Sequence, residues 1–245
     1  KKISFATPVL FHAGVAGGNL ASCYLLSMEQ HQDDVRGIWS SLKDLATISS
    51  ACGGLGVAAS ALGSVRAEDA GGLLQRFLRP LNEMCRSVNP GNGKRRSSCA
   101  VYLEMHHPAL LSFLEMRQTH GDPNARCHDL FSAVWVSDLF MRRVQNGETW
   151  SFVDPAANLD ELWGSAYDAA YAEAERDGTL VIKTMEARVI WDVLLNAQVN
   201  AGTPYVLFKD ACNFKSNQKA LGTIKCSNLC AEVVEYSDAQ ETAVC

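Results

Sequence analysis

The chain has 245 residues, of which 47% are hydrophobic, and a formal net charge of -5. This length suffices for one large domain or two small ones with a substantial core, and the acidic balance gives no electrostatic reason to expect binding to nucleic acid or an anionic membrane. We expect no membrane span, because no apolar run approaches the roughly 18 residues that one needs, and no signal peptide, because the first residues lack an apolar core followed by a cleavage-like site.

In chain order, residues 6–14 and 19–27 predict two strands, the second of them buried. Residues 37–51 predict a helix with an apolar stripe formed by Ile38, Leu42, Leu45 and Ile48. The Gly-rich residues 51–65 predict a packed turn and helix. The glycines at 53, 54 and 56 imitate a dinucleotide-binding fingerprint, but a helix rather than a strand precedes them. A close backbone approach to something bound, or a tight turn, is the better interpretation.

Residues 89–98 form a basic, Gly-rich loop that is either a phosphate-contacting loop or a solvated turn. Strands are predicted at 99–107, 132–137 and 204–210, and helices at 108–121, 137–147, 158–178 and 184–202. His106 and His107 favour capping or core packing over metal ligation, Asn158 with Glu161 resembles a capping box, and residues 213–218 indicate a surface turn. This alternation of helices and short apolar strands predicts an α/β fold.

Nine cysteines are many for a cytosolic protein and an odd number for a disulfide framework. Their spacing is irregular. Cys226 and Cys230 lie close in sequence, yet no histidine or further cysteine pair completes a zinc set beside them. The cysteines therefore favour reduced thiols, one or more of them catalytic, and we expect no metal site in this chain.

The most informative pattern lies in residues 222–236, where Asn228, Cys230 and Glu232 occupy alternate positions. On an extended backbone, alternate side chains point to one face, about 6–7 Å apart. An amide, a thiol and a carboxylate would then surround one sugar-sized substrate, which suggests thiol chemistry assisted by a base. The triplet alone also fits an ordinary half-exposed strand, and a buried structural thiol is the simplest interpretation of Cys23.

Several stretches, taken in order, resemble the large catalytic subunit of class I ribonucleotide reductase in its eukaryotic or viral form. They are TPVLFHAG, NLASCYLLSM, ACGGLGV, GNGKRR with AVYLE, SDLFMRRV, TPYVLFKDACNFKSNQ, and LGTIKCSNLCAEVVEY ending in AVC. The likeness covers nearly the whole chain. It implies the first half of a ten-stranded α/β barrel, which is a five-stranded parallel half-barrel with flanking helices and a central finger loop. Residues 1–245 would be part of the catalytic barrel domain, without the family's N-terminal cone domain and second half-barrel.

The resemblance also implies roles for individual residues. Cys230 would be the thiyl-radical cysteine that takes hydrogen from the 3′ carbon of the ribose, with Glu232 as the base on the 3′ hydroxyl and Asn228 as a hydrogen-bond partner of the substrate. Cys23 and Cys245 would be the dithiol that reduces the 2′ carbon and closes a disulfide. The remaining implied residues are Thr7, Ser22 and Gly54 for substrate binding, Asp33, Asp34 and Val35 for effector binding, and Lys94 and Arg95 in the specificity loop.

The implied activity is the reduction of ribonucleoside diphosphates to deoxyribonucleoside diphosphates for DNA synthesis in the cytoplasm. No cofactor is implied in this chain: a metal-containing small subunit would supply the radical, and nucleoside triphosphates would act as effectors. The other implied partners are a second large subunit and thioredoxin or glutaredoxin. As a fragment, the isolated chain is expected to be inactive, and its uncovered parallel strands are expected to aggregate.

The chain departs from the family pattern at several positions. Pro90 replaces a Gln that helps to couple effector to substrate, Gly63 falls where the family has an Arg near the effector, and His106 replaces a Trp. These changes keep an alternative open, namely a catalytically inactive nucleotide-binding or regulatory fragment. A glycyl-radical enzyme with a similar barrel is a third hypothesis, disfavoured because the sequence shows no glycyl-radical segment.

Overall fold

The computed structural model of the protein describes residues 3–28, 35–63, 72, 74–88, 96–238 and 243–244. The α-helices are α1 (Thr7–His12), α2 (Val35–Ser50), α3 (Arg79–Ser87), α4 (Leu110–Glu115), α5 (Asp138–Asn146), α6 (Gly164–Asp177), α7 (Ala187–Ala201) and α8 (Lys209–Lys215). The strands are β1 (Cys23–Ser27), β2 (Gly54–Ala58), β3 (Cys99–Glu104), β4 (Leu130–Val136), β5 (Thr149–Val153), β6 (Val181–Glu186), β7 (Tyr205–Phe208) and β8 (Ala243–Val244). Across these ranges, no helix combines the length and the apolar character that crossing a membrane requires.

The central sheet confirms the predicted α/β fold. Strands β7, β4, β3, β2 and β1 lie side by side in that order and are parallel, and β8 adds to the β1 edge in antiparallel orientation. Strands β5 and β6 form a separate antiparallel pair. Five parallel strands with flanking helices are consistent with half of the barrel that the resemblance implies.

The two faces of the sheet are covered by different parts of the chain, so its central strands are buried on both sides. Alternate residues of β3, such as Val101 and Leu103, pack into a large core with residues of α2 to α7. The intervening residues Ala100 and Tyr102 belong to a second cluster with Leu229 on the opposite face. This two-sided burial is typical of parallel strands, and it explains why they appear as continuous apolar runs in the sequence.

On the second face, alanines of β2, β3 and β4 lie among larger side chains, and a loop packs against them. The cluster on this face combines residues of β1 to β4 with residues of the segment 222–236, which we call the finger loop: Cys23, Leu25, Ala58, Ala100, Tyr102, Ala133, Trp135, Ile224, Cys226 and Leu229. Within the described residues, the finger loop contains no regular strand or helix. It lies on the sheet as a packed, irregular segment.

The predictions for several elements are wrong. Residues 7–12 form helix α1 rather than a strand, with Pro8 in its first turn, where proline is well tolerated. Residues 54–58 form strand β2 rather than part of a turn and helix. The capping box at Asn158 is absent, because Asn158 adopts a left-handed conformation (φ 51°) between two 3₁₀ segments and α6 begins only at Gly164. The start of the helix predicted at 184–202 belongs to strand β6.

Candidate functional site

A tight turn, rather than an extended strand, presents the candidate catalytic residues. The backbone N–H of Asn228 donates to the carbonyl of Val233 (3.3 Å), and Ala231 between them has a left-handed φ of 62°. The side-chain Oδ1 of Asn228 accepts hydrogen bonds from the backbone N–H groups of Glu232 (3.1 Å) and Val233 (3.2 Å). The expectation that a pleated strand aligns the three side chains is therefore wrong, because the chain reverses direction between them.

Asn228 is the residue that holds this turn together. Its side chain is fully buried, whereas Cys230 and Glu232 are exposed. The hydroxyl of Tyr102 on β3 donates to the backbone carbonyl of Asn228 at 2.6 Å, and the hydroxyl of Ser227 donates to the carbonyl of Val233 at 2.5 Å. The Tyr102 hydrogen bond thus attaches the turn to the sheet, and the Ser227 hydrogen bond joins the two ends of the turn.

Two glycines of β2 allow the turn to approach the sheet. A Cβ atom at Gly56 would lie 2.1 Å from the backbone oxygen of Ser227, and one at Gly54 would lie 2.7 Å from the side chain of Leu229. Real Cβ atoms do not tolerate such contacts, so only glycine fits unless the loop moves. A close approach occurs at these glycines as predicted, but the approaching segment is the finger loop of the same chain rather than something bound.

The stem of the finger loop is anchored to the rest of the domain by paired polar contacts. Asn213 of α8 accepts from the N–H of Ile224 (2.7 Å) and donates to its carbonyl (3.0 Å). Thr223 donates to the carbonyl of Glu161 (2.6 Å), and the ammonium of Lys225 pairs with the carboxylates of Asp160 and Glu161. Asn213 is fully buried, so the prediction that this residue lies in a surface turn is wrong.

A buried charge network supports the segment to which the stem is attached. Lys209, with no exposed surface, donates to Glu104 (2.6 Å) and to the carbonyls of Leu159 (3.1 Å) and Asp160 (3.4 Å). His106 contacts the second oxygen of Glu104 at 3.3 Å. Burial by itself would raise the pKa of Glu104, but Lys209 and His106 together hold this pKa below its usual value. The network therefore carries an ionised carboxylate inside the core.

The two neighbouring histidines are core residues, as predicted. His106 contacts Tyr167 as well as Glu104, and His107 bonds the carbonyl of Leu62 (2.9 Å) and accepts from the N–H of Ala109 (3.0 Å). Burial lowers the pKa of His107 to about 4. A neutral His107 caps the start of the segment that leads into α4.

The turn brings two sulfurs and a carboxylate together. The Sγ atoms of Cys23 and Cys230 and a carboxylate oxygen of Glu232 all lie within 4.8 Å of one another. Cys23 is buried at the start of β1, and the other two residues face solvent. The backbone carbonyl of Ser22 accepts from the N–H of Gly54 (2.7 Å), which joins β1 to β2 at this point. The thiol of Cys230 and the carboxylate of Glu232 thus lie next to the thiol of Cys23.

Its exposure distinguishes the thiol of Cys230 from the core cysteines. Burial raises the pKa of Cys226 to about 12, although this residue lies only four positions before Cys230. Burial likewise raises the pKa of Cys85 to about 11 and that of Cys127 to about 12. Such thiols remain protonated and inert. Tyr205 lies near the exposed thiol: its pKa is raised by burial first and then by the charge of Cys230.

The other candidate residues fall into two groups. Thr7 is exposed at the start of α1, while Ser22 and Gly54 lie beside Cys23 where β1 and β2 begin. Several lie outside the described residues: Asp33, Asp34, Pro90, Lys94, Arg95 and Cys245. Val35 begins α2. No local sequence signal marks Asn213, Lys209 or Tyr102 as supports of the site, because their contacts join segments that are distant in sequence.

Comparison with known proteins agrees with this arrangement. A sequence model of the family described as "Ribonucleotide reductase, barrel domain" matches residues 21–245. The chain is 45% identical to the ribonucleoside-diphosphate reductase large subunit of Arabidopsis thaliana, over 98% of this chain and 30% of that protein. It is 42% identical to the large subunit of Plasmodium falciparum (isolate Dd2), over 100% of this chain and 31% of that protein. It is also 42% identical to the ribonucleoside-diphosphate reductase large chain 2 of Saccharomyces cerevisiae, over 98% of this chain and 28% of that protein.

The chain therefore spans about 30% of the length of these relatives. The family match covers nearly all of it, and the matched region includes every member of the Cys23, Cys230 and Glu232 group. The resemblance seen in the sequence is confirmed, and this chain belongs to the ribonucleotide reductase barrel domain family.

Proposed function

We propose that this chain forms half of the catalytic barrel in the large subunit of a ribonucleoside-diphosphate reductase. In the complete protein it would help to convert ribonucleoside diphosphates into deoxyribonucleoside diphosphates in the cytoplasm. The observation that carries this proposal is the meeting of Cys23, Cys230 and Glu232 within 4.8 Å. Radical reduction of a ribose needs a thiol that exchanges a hydrogen atom, a base for a hydroxyl proton and a pair of thiols that supplies two electrons, and this group contains one thiol of that pair.

In this proposal Cys230 gives up its thiol hydrogen when the complex is activated, and its sulfur then takes the hydrogen of the ribose 3′ carbon. Glu232 accepts the proton of the 3′ hydroxyl. The 2′ hydroxyl takes a proton from a thiol of the Cys23 and Cys245 pair and leaves as water, and Cys230 finally returns the hydrogen atom to the 3′ carbon. The radical would be supplied from a metal-containing small subunit. The exposed position of Cys230 and Glu232 supports these roles, because both side chains reach the space that a substrate would occupy.

Two electrons for the 2′ carbon would come from Cys23 and Cys245, whose thiols would close a disulfide. Cys245 lies outside the described residues. Support comes from the neighbouring pair: Val244, the residue before Cys245, pairs with Tyr24, the residue after Cys23. Thioredoxin or glutaredoxin would then reduce the disulfide by thiol exchange.

Asn228 would act chiefly by positioning, because its Oδ1 is held by two backbone N–H groups. Thr7, Ser22 and Gly54 would contact the substrate, and the location of Ser22 and Gly54 beside Cys23 supports this. Effector binding at 33–35, control by Lys94 and Arg95, binding of the small subunit and dimer formation stay predictions from the family resemblance.

The test is Cys230→Ser in the complete protein, with Cys212→Ser as the matched control. Cys212 is half-buried on α8 and lies outside the Cys23, Cys230 and Glu232 group. We expect Cys230→Ser to abolish deoxynucleotide formation and to retain nucleotide binding, while Cys212→Ser keeps both. Unchanged reduction by Cys230→Ser would remove this thiol from the chemistry. Nucleotide binding without reduction in the unsubstituted complete protein would favour the regulatory alternative.

A further inference from the structure

The Cys23, Cys230 and Glu232 group is also a set of potential metal ligands. Each side chain offers one ligand atom, and the three atoms are mutually within 4.8 Å. Spacing in the sequence cannot reveal this set, because Cys23 lies far from the other two residues along the chain. The fold assembles it by placing the finger loop over the start of β1 and β2.

We propose that this group binds a thiophilic divalent cation such as Zn²⁺ or Cd²⁺. Thiolate sulfur selects soft and borderline cations over Mg²⁺ or Ca²⁺, which prefer oxygen. Two thiolates and one carboxylate form a three-ligand set, so the fourth tetrahedral position would be filled by a water or by another donor. The exposure of Cys230 and Glu232 provides both the entry path and the space for that water.

The geometry requires only a small adjustment. In a tetrahedral site with metal–sulfur bonds of about 2.3 Å and a metal–oxygen bond of about 2.1 Å, the ligand atoms are roughly 3.6–3.8 Å apart. The described atoms lie within 4.8 Å of one another, so they need to approach by roughly 1.2 Å at most. Rotation of the exposed Cys230 and Glu232 side chains can supply this shift, while Cys23 is held by strand β1.

Binding would release protons and block the thiols. Each thiol enters the site as a thiolate, so occupation releases two protons and leaves three negatively charged ligands around one divalent cation. Among the described residues, no other three side chains of the kinds that bind metals lie this close together. The cation would occupy the same side chains that reduction uses. That consequence rests on the proposed function, but the binding itself does not.

The experiment titrates Cd²⁺ into the complete, fully reduced protein and follows the ultraviolet thiolate-to-cadmium absorption band, with Zn²⁺ as a competitor. The variants Cys230→Ser and Glu232→Gln each remove one ligand from the exposed turn, and Cys212→Ser is the control. Removing a direct ligand should weaken Cd²⁺ binding by at least the roughly 10- to 100-fold that even outer-shell changes cause. Cys212→Ser should bind as the unsubstituted protein does.

A second readout locates the metal. Cd²⁺ should protect Cys23 and Cys230 together from alkylation, as measured for each cysteine by mass spectrometry, and should leave the labelling of Cys212 unchanged. Equal Cd²⁺ affinity in Cys230→Ser and the unsubstituted protein, or labelling of Cys23 and Cys230 unaffected by Cd²⁺, would overturn the proposal. Neither readout depends on turnover, so a failure here is separate from a failure of the proposed reductase activity.

Discussion

At the scale of single residues, the geometry of the site depends on one amide. Asn228→Ala removes the acceptor for the N–H groups of Glu232 and Val233. Leaving these groups unpaired should cost about 1–3 kcal/mol and allow Cys230 and Glu232 to move apart. Asn228→Asp keeps an acceptor oxygen and should preserve the turn.

The check compares the alkylation rate of Cys230 and the urea midpoint of unfolding in both variants. We expect Asn228→Ala to change both quantities and Asn228→Asp to change the alkylation rate much less. If the two variants behave identically, Oδ1 does not hold the turn.

A second residue-scale prediction concerns pH. The pKa of His107 in the folded protein is about 4, below its ordinary value of about 6.5. The folded state therefore binds the proton more weakly than the unfolded state, and the stability that a neutral His107 provides is complete above about pH 6.5 and lost as the pH falls toward 4. The loss from this residue should reach about 3 kcal/mol.

His107→Gln keeps a donor and an acceptor but does not titrate. We expect its free energy of unfolding to change less between pH 6.5 and pH 4.5 than that of the unsubstituted protein, in urea titrations at each pH. A parallel pH dependence in the two proteins would mean that His107 does not cause the loss.

Sequence patterns predicted the residue types of the candidate site but not its geometry. The types of Cys230 and Glu232 pointed to thiol and base chemistry, and both side chains are indeed exposed side by side. The predicted reason for their proximity, alternation of side chains along a strand, was wrong. The left-handed Ala231 and the capping amide of Asn228 produce a turn, and an alanine carries no local signal for such a conformation.

At the scale of elements, the buried pair of Lys209 and Glu104 links α8, β3 and the segment that anchors the finger loop. Lys209→Met would leave the carboxylate of Glu104 buried without its cation. We expect a loss of about 3–5 kcal/mol in the free energy of unfolding, because an uncompensated buried charge is strongly destabilising. The double variant Lys209→Met with Glu104→Gln should recover part of that loss.

Lys183→Met is the matched control, since Lys183 is exposed on β6 and its removal should change stability by less than about 0.5 kcal/mol. Urea unfolding of the four proteins completes the comparison. A double variant no more stable than Lys209→Met alone would contradict the view that the unpaired charge is the cause.

Helices and apolar strands were predictable where periodicity and length were clear, as in α2, β3 and α5. Strand β2 was missed because its glycines lower strand propensity. They are present because the finger loop lies against them, which is a tertiary requirement that local sequence cannot express. Residues 7–12 carried an apolar run that fits either a strand or a helix, and periodicity alone does not separate the two.

At the scale of the whole molecule, the fold joins the beginning of the chain to its last third. Five parallel strands leave one face occupied by helices and the other by the finger loop. Cys23 starts the first of these strands, and Cys230 lies at the exposed turn above it. The family resemblance implied this meeting, whereas composition and spacing could not.

The most direct test of this account is a thiol cross-link in the complete, reduced protein. A short bifunctional thiol reagent followed by peptide mass spectrometry should join Cys23 to Cys230, whose sulfur atoms lie within 4.8 Å of each other, and Asn228→Ala should reduce the yield. Labelling of Cys230 without any link to Cys23 would contradict the proposed site.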